Sequence, residues 1–290
     1  MYYEDILPEV VFVDAQVLLD KITELVEHSL LVQSESSHPD SQAGSVGSFE
    51  KFKHGIVTKE ILSHFKSHYV PNLFLEDDLI LVFKHLLIVA EVGEDEYLMP
   101  CLLKQEAIPH PLTDSPSQVV SPLLFYFGKD GPKLGVYCFL LSSLITEAKW
   151  ELLMDEGCPV QLLRNRVHFK VPDKQPGFIT ITDSFSTFFH VVVTFPSDID
   201  SDKALKICED ICPMIRETIL AGIRKASRTL NYNNSIPESA FLCLKHQDDS
   251  LHPAIISKHD ILTCTAQPGS VINKMTESHK LWFGKDHSGE

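Results

Sequence analysis

The sequence has no apolar run long enough to cross a bilayer. "LILVF" and "HLLIVA" are its longest strongly apolar stretches, far short of the ~20 residues a membrane helix needs. No membrane span is therefore expected. Positive charge is also short. Lys plus Arg number 25 against 40 Asp plus Glu, a formal charge of −15. That balance repels phosphate backbones, and readers of nucleic acid normally carry a basic face. Nucleotide and acyl chemistry lack their signatures too. There is no Gly-x(4)-Gly-Lys-Ser/Thr loop, and Gly44 and Gly47 are not followed by one. There is no Gly-x-Ser-x-Gly elbow. The seven cysteines, at 101, 138, 158, 208, 212, 243 and 264, are odd in number and show no small-scaffold spacing. A reducing compartment follows. Residues 1–10 carry three acids and no base, so no secretory leader is expected and the location is expected to be cytoplasmic.

What is present is ordinary globular material: 290 residues, 44% hydrophobic and 22% charged. That length suggests two domains, or one with subdomains. "VVFV" at 10–13 reads as a short strand, and Asp14 as the N-cap of a helix with Val17, Leu18, Ile22, Leu25 and Val26 on one face. Residues 34–54 are rich in Ser, Gly, Pro and His and read as a loop. In "GIVTKEILSHF" Thr58 caps a second helix with Ile61, Leu62 and Phe65 inward. "EDDLILVFKHLL" forms a third, its acids suited to the positive helix end. "IVAEV-GEDE-YLMPCLL" then reads as a β-hairpin. Three helices closed by a hairpin predict a winged-helix unit over residues 1–105. Many such units hold DNA with their last helix. Here that helix offers Glu76, Asp77 and Asp78 against Lys84, so a protein-interaction role is expected instead.

Three prolines mark 106–118 as a linker. Beyond it "PLLFYF" reads as a strand and "KLGVYCFLLSSLITEA" as a helix. "VQLLRNRVHFKVP", "GFITITD" and "STFFHVVVTFP" read as strands, and "RNRVHFKV" alternates so that one strand face is wet. A long helix capped by Ser201 or Asp202 follows, which Pro213 should kink or split. Residues 119–235 thus form an α+β subdomain. Residues 236–290 are short of regular signals and read as a loop-rich tail.

Catalytic constellations do not assemble from these elements. Cys158 sits in acidic "DEGCPV", which raises a thiol pKa. The acidic pairs fall in turns. His168 and His190 lie in strand patterns and are expected to be exposed or satisfied internally. Cys208 and Cys212 share one helix face inside an apolar stripe and read as core. The candidate metal ligands are Cys243, His246, His259 and Cys264. "CLKH" has a gap that lets one turn present two ligands to a zinc ion, although the later residues do not repeat it.

The order of elements resembles the COR domain of Roco-family signalling proteins, the region that follows their Ras-like Roc GTPase. "VFVDAQVLL" matches the family's opening pattern, with Ala15 where Pro is usual and Val17 where Trp is usual. Gly55, Ile56 and Leu62 match its next helix start. Tyr97, Leu98, Pro100, Leu102 and Leu103 match the close of its wing. "PLLFYFGKDGPKLGVYCFLLSSLI" and "WELLMDEGCPVQLLRNRVHFKV" resemble the second COR subdomain, and the likeness covers roughly residues 5–230. It implies a non-enzymatic scaffold that couples to a Roc-type GTPase, in the same or another chain, and forms a homodimer through the second subdomain. Nucleotide would be held by Roc. A winged-helix regulator of nucleic acid and a zinc-binding protein are the alternatives.

Overall fold

A computed structural model describes residues 51–61 except 53, 76–104, 119–160 except 129, 130, 133, 134, 156 and 157, 162–183, 187–230, 237–243, 253–257, 261–265 and 271–284. The predicted entry strand with Val11 and Phe12, the first helix with Leu18 and Ile22, the residue Leu62 and the linker 106–118 lie outside them. The fold class is α+β, with antiparallel sheets. The chain divides into two compact units, Met1–Gln105 with Leu141–Glu147, and Glu106–Leu140 with Ala148–Glu290.

The first unit contains strand β1 (Ile56–Thr58), helix α1 (Glu76–His85) and the hairpin β2 (Ala90–Gly93) and β3 (Glu96–Leu98). The sheet order is β1-β3-β2. Ile56 pairs with Leu98 and Val57 with Tyr97, so two stretches forty residues apart in sequence lie side by side. Gly55 makes that approach possible. Its φ is +73°, and a Cβ there would stand 2.6 Å from Leu103 Cδ2. Its carbonyl also accepts from the Met99 amide at 2.9 Å. Thr58 ends β1 and caps the next helical turn, its hydroxyl accepting from the Ile61 amide at 3.3 Å. In α1 Ile80, Val82 and Phe83 point inward and join Phe52, Val57, Ile61, Tyr97 and Met99 in one apolar cluster. Asp77, Leu81 and His85, four apart, stay exposed on the other side.

The second unit is built on an eight-stranded antiparallel sheet. Its strands are β4 (Leu123–Tyr126), β7 (Arg166–Lys170), β8 (Phe178–Asp183), β9 (Phe188–Thr194), β10 (Glu238–Leu242), β11 (Pro253–Ser257), β12 (Ile261–Cys264) and β13 (Val271–Lys274). The order is β13-β12-β11-β10-β4-β9-β8-β7. A separate two-stranded piece, β5 (Met154–Asp155) and β6 (Cys158–Pro159), precedes β7. The segment read as a loop-rich tail therefore supplies four of the eight strands. They are short and interrupted by polar stretches such as "KHQDDS" and "AQPGS", which is why their period-2 signal is weak.

One face of the sheet is largely apolar. Leu123, Val191, Ile181 and Val167 form a cross-strand row, each fully buried. Helix α2 (Val136–Thr146) begins on this face: Tyr137 meets the Phe189 ring edge-on and donates its hydroxyl to the Ile181 carbonyl at 2.8 Å. Helix α3 (Ser201–Thr229) also lies here, with Arg216 Nε donating to the Ser239 hydroxyl at 3.2 Å. Asp200, not Ser201 or Asp202, caps α3, accepting from the Lys203 amide at 3.2 Å. Pro213 does not split this helix, which runs through it for 29 residues. A proline costs the helix one donor and crowds the carbonyl four residues back. Here the inward stripe of Ile207, Cys208, Ile211, Cys212, Ile215, Ile219 and Ile223 is buried along the whole length and outweighs that local loss.

The C-terminal turn α4 (Glu277–Lys280) leads into "LWFG" and straps this face. Trp282 is fully buried and donates Nε1–H to the Ser121 carbonyl at 2.7 Å. The Ser278 and Ser121 hydroxyls are 2.8 Å apart. Phe241 stacks against His279 at 4.2 Å, and the Arg216 guanidinium lies 4.6 Å from the Phe283 ring centre. Among the described residues no helix is long and apolar enough to cross a membrane.

Candidate functional site

Of the four candidate metal ligands, Cys243 and Cys264 are described, and His246 and His259 lie outside the described residues. Cys264 pairs with Ala254 on β11, and Ala254 pairs with Phe241 on β10. Cys243 is two residues beyond Phe241. Both cysteines are buried on the strapped face, but a whole strand separates them. At ~4.8 Å per strand their backbones are about 10 Å apart or more. Among the described residues no group of three or more His, Cys, Asp and Glu side chains gathers in metal-binding geometry. Cys208 and Cys212 are fully buried in the α3 stripe, as expected of small apolar side chains. Their thiols hydrogen-bond each other, which lowers the Cys208 pKa and raises that of Cys212.

The opposite face of the large sheet holds a group that periodicity alone did not single out. Arg166 on β7 pairs with Thr182 on β8, Thr182 with His190 on β9, and His190 with Leu124 on β4. One step along, His168 pairs with Thr180 and Thr180 with Val192. Partners in antiparallel strands share a face, so two histidines, two threonines and an arginine form one polar patch. It grades outward. Thr182 and His190 are 2% and 1% exposed, whereas Arg166, His168 and Thr180 are half-buried.

The two histidines differ in how they are satisfied. His168 Nδ1 is 2.8 Å from the Thr180 hydroxyl, as expected of an internally satisfied histidine. His190 departs from that expectation. It is buried, and neither ring nitrogen has a hydrogen-bond partner among the described residues; nor has Nε of Arg166. Burial, then the Arg166 charge, pushes the His190 pKa down to about 3 and that of His168 to about 4. Both imidazoles are neutral at neutral pH. A neutral ring has one N–H donor and one bare acceptor, so His190 holds an unmet demand of each kind. Its place in "FFHVVV" gives no outward sign of this; only the register across three strands does.

The first unit presents different chemistry. Lys51, Lys59 and Lys84 each pair with a carboxylate, of Glu96, Asp77 and Glu91 respectively. These three cations are thus matched by carboxylates of the same chain, and α1 faces outward with Asp77, Leu81 and His85. The chain matches no known family of proteins and no curated protein.

Proposed function

We propose that the chain is a non-enzymatic protein-interaction and dimerisation module of the kind found in Roco-like signalling proteins, coupling to a Ras-like GTPase domain in the cytoplasm. The observation that carries this reading is the in-register meeting of Gly55–Thr58 with Glu96–Met99. These are two of the three landmarks on which the COR resemblance rests. Among the described residues a strand, a helical turn opening at Lys59, a further helix and a hairpin, with the first strand beside the last, support that reading. On this reading the first unit is a winged helix.

Its last helix is the surface that would enter a DNA groove, and its charge opposes that use. Helix α1 opens with Glu76, Asp77 and Asp78, and its Lys84 is already paired with Glu91. Carboxylates facing phosphates forfeit the counterion release that drives such binding. A protein partner with basic groups around an apolar notch suits Asp77 and the 42%-exposed Leu81 better.

The test is a calorimetric titration of the full chain with a Roc-type GTPase domain, loaded with GDP and with a GTP analogue. Saturable binding in at least one nucleotide state, weakened about tenfold or more by Leu81→Glu, is expected. Absence of binding in both states, together with salt-dependent binding to duplex DNA, would move the assignment to a nucleic-acid regulator.

A further inference from the structure

We propose that the C-terminal strap, residues 276–284, is an acid-released latch whose proton sensor is the His279 imidazole. This goes beyond the docking role and does not depend on it. The strap is anchored at several points on the second unit. Trp282 is buried and donates its indole N–H to the Ser121 carbonyl at 2.7 Å, and the Ser278 hydroxyl is 2.8 Å from that of Ser121. His279 lies on the Phe241 ring of β10, and the Arg216 guanidinium of α3 lies over Phe283. A Cβ on Gly284 would stand 3.7 Å from Pro213 Cγ, so the strap ends against the middle of α3. These anchors are all noncovalent, and α4, which aims them, has 4 residues. A helix so short depends on its cap.

The cap is where the sensitivity lies. In a capping box a Ser or Thr accepts from the amide of the third helical residue, and that residue's side chain, usually Glu or Gln, accepts from the cap's own amide. Here Thr276 is the cap and His279 stands where Glu or Gln is usual. Its Nδ1 accepts from the Thr276 amide at 3.0 Å and lies 2.9 Å from the Thr276 hydroxyl. A backbone N–H only donates, so Nδ1 is bare and the neutral ring carries its proton on Nε2. A carboxylate or amide oxygen keeps its lone pairs through the neutral range, whereas the imidazole loses this one on protonation. The imidazolium can still donate to the hydroxyl, but the Thr276 N–H then faces a proton. Among the described residues, the nearest titratable groups on the packed elements are Arg216 and Glu217 of α3, which pair with each other, Glu238 of β10, at the Tyr126 end of that strand, and the buried Cys243 beyond its other end. On α4 itself Lys280 pairs with Glu277. None of them shifts the ring, and burial alone lowers its pKa below 6.5. Release of the strap returns the ring to 6.5. Closure is therefore favoured in full above 6.5. Below it the ratio of closed to open falls, by up to about tenfold per pH unit, until the closed ring itself protonates.

The experiment is nitrogen NMR and hydrogen exchange on the isotope-labelled full chain, from about pH 7.5 to about pH 5.5. The His279 ring and the Trp282 indole are assigned through their own backbone signals. At the upper pH the His279 ring is expected as the Nε2–H tautomer with Nδ1 bare, and it should titrate below 6.5. Protection of the Trp282 indole N–H, relative to a free indole at the same pH, should fall about threefold or more across the range. The β9 amides at the centre of the sheet should stay better protected than the indole, which separates release of the strap from unfolding of the sheet. His279→Gln keeps an acceptor for the Thr276 amide without a titrating group, so the fall in indole protection should vanish in it. The proposal is overturned if the wild-type ring carries its proton on Nδ1 at the upper pH, or titrates at or above 6.5. It is equally overturned if indole exchange merely tracks that of the β9 amides, or if protection falls as much in His279→Gln. The tautomer and titration of the wild-type ring decide the matter even if the variant does not fold.

Discussion

At the scale of single residues, His190 and Gly177 carry the sharpest expectations. A free imidazole titrates near 6.5, and His190 in the fold titrates near 3. Below pH 6.5 the unfolded chain therefore takes up a proton that the folded chain refuses. Stability is fully present above 6.5 and is lost as pH falls towards 3, by up to about 1.4 kcal/mol per pH unit from this group. Urea unfolding at pH 7 and pH 5 measures it, and His190→Leu should flatten the acid decline. The same variant should stabilise the protein at pH 7 by about 1–3 kcal/mol, because it removes a buried polar ring with no hydrogen-bond partner among the described residues. Gly177 makes the opposite case. Its φ is +109°, and a Cβ there would fall 2.4 Å from the Thr194 carbonyl oxygen. Backbone cannot yield as a side-chain tip can, so Gly177→Ala should cost about 2 kcal/mol or more in denaturant unfolding. Neither property could be read from the sequence. "RNRVHFKV" announces that one strand face is wet, but an unmet imidazole exists only once register sets His190 beside Thr182 and Arg166.

At the scale of elements, the strands after residue 236 change where the second unit ends. The sequence suggested a boundary at 235. A fragment cut there would lose β10 to β13, leave β4 as an open edge and strip the strap from Ser121. Trp282 reports on this directly. It is fully buried with its indole N–H on the Ser121 carbonyl, so Trp282→Ala should destabilise the unit by about 3–5 kcal/mol in chemical denaturation. The elements that were legible are those with an unbroken period. The Ile and Cys stripe of α3, the alternation of β7, the Val-, Ile-, Thr- and Phe-rich runs of β8 and β9, and the "VGEDE" turn between β2 and β3 each occur where expected. What was missed had a broken signal. Strands of four or five residues separated by "KHQDDS" or "AQPGS" do not give enough repeats for period 2 to stand out. The interruption expected at Pro213 failed for the converse reason: a local rule met a 29-residue buried stripe and lost.

At the scale of the whole molecule, the net charge of −15 acts between copies as well as against nucleic acid. Two such chains repel, so any self-association depends on apolar contact and should tighten as salt screens the charge. Raising ionic strength from about 0.05 to 0.3 M should therefore strengthen the proposed dimer, the opposite of the trend expected for a phosphate-backbone ligand. The measurement that bears most directly on the interaction-module reading is sedimentation equilibrium of the 290-residue chain over about 1 to 100 µM, at both salt levels. A monomer–dimer equilibrium that shifts to dimer with concentration, and further with salt, is the predicted result. A single species of monomer mass at every concentration and both ionic strengths would contradict it.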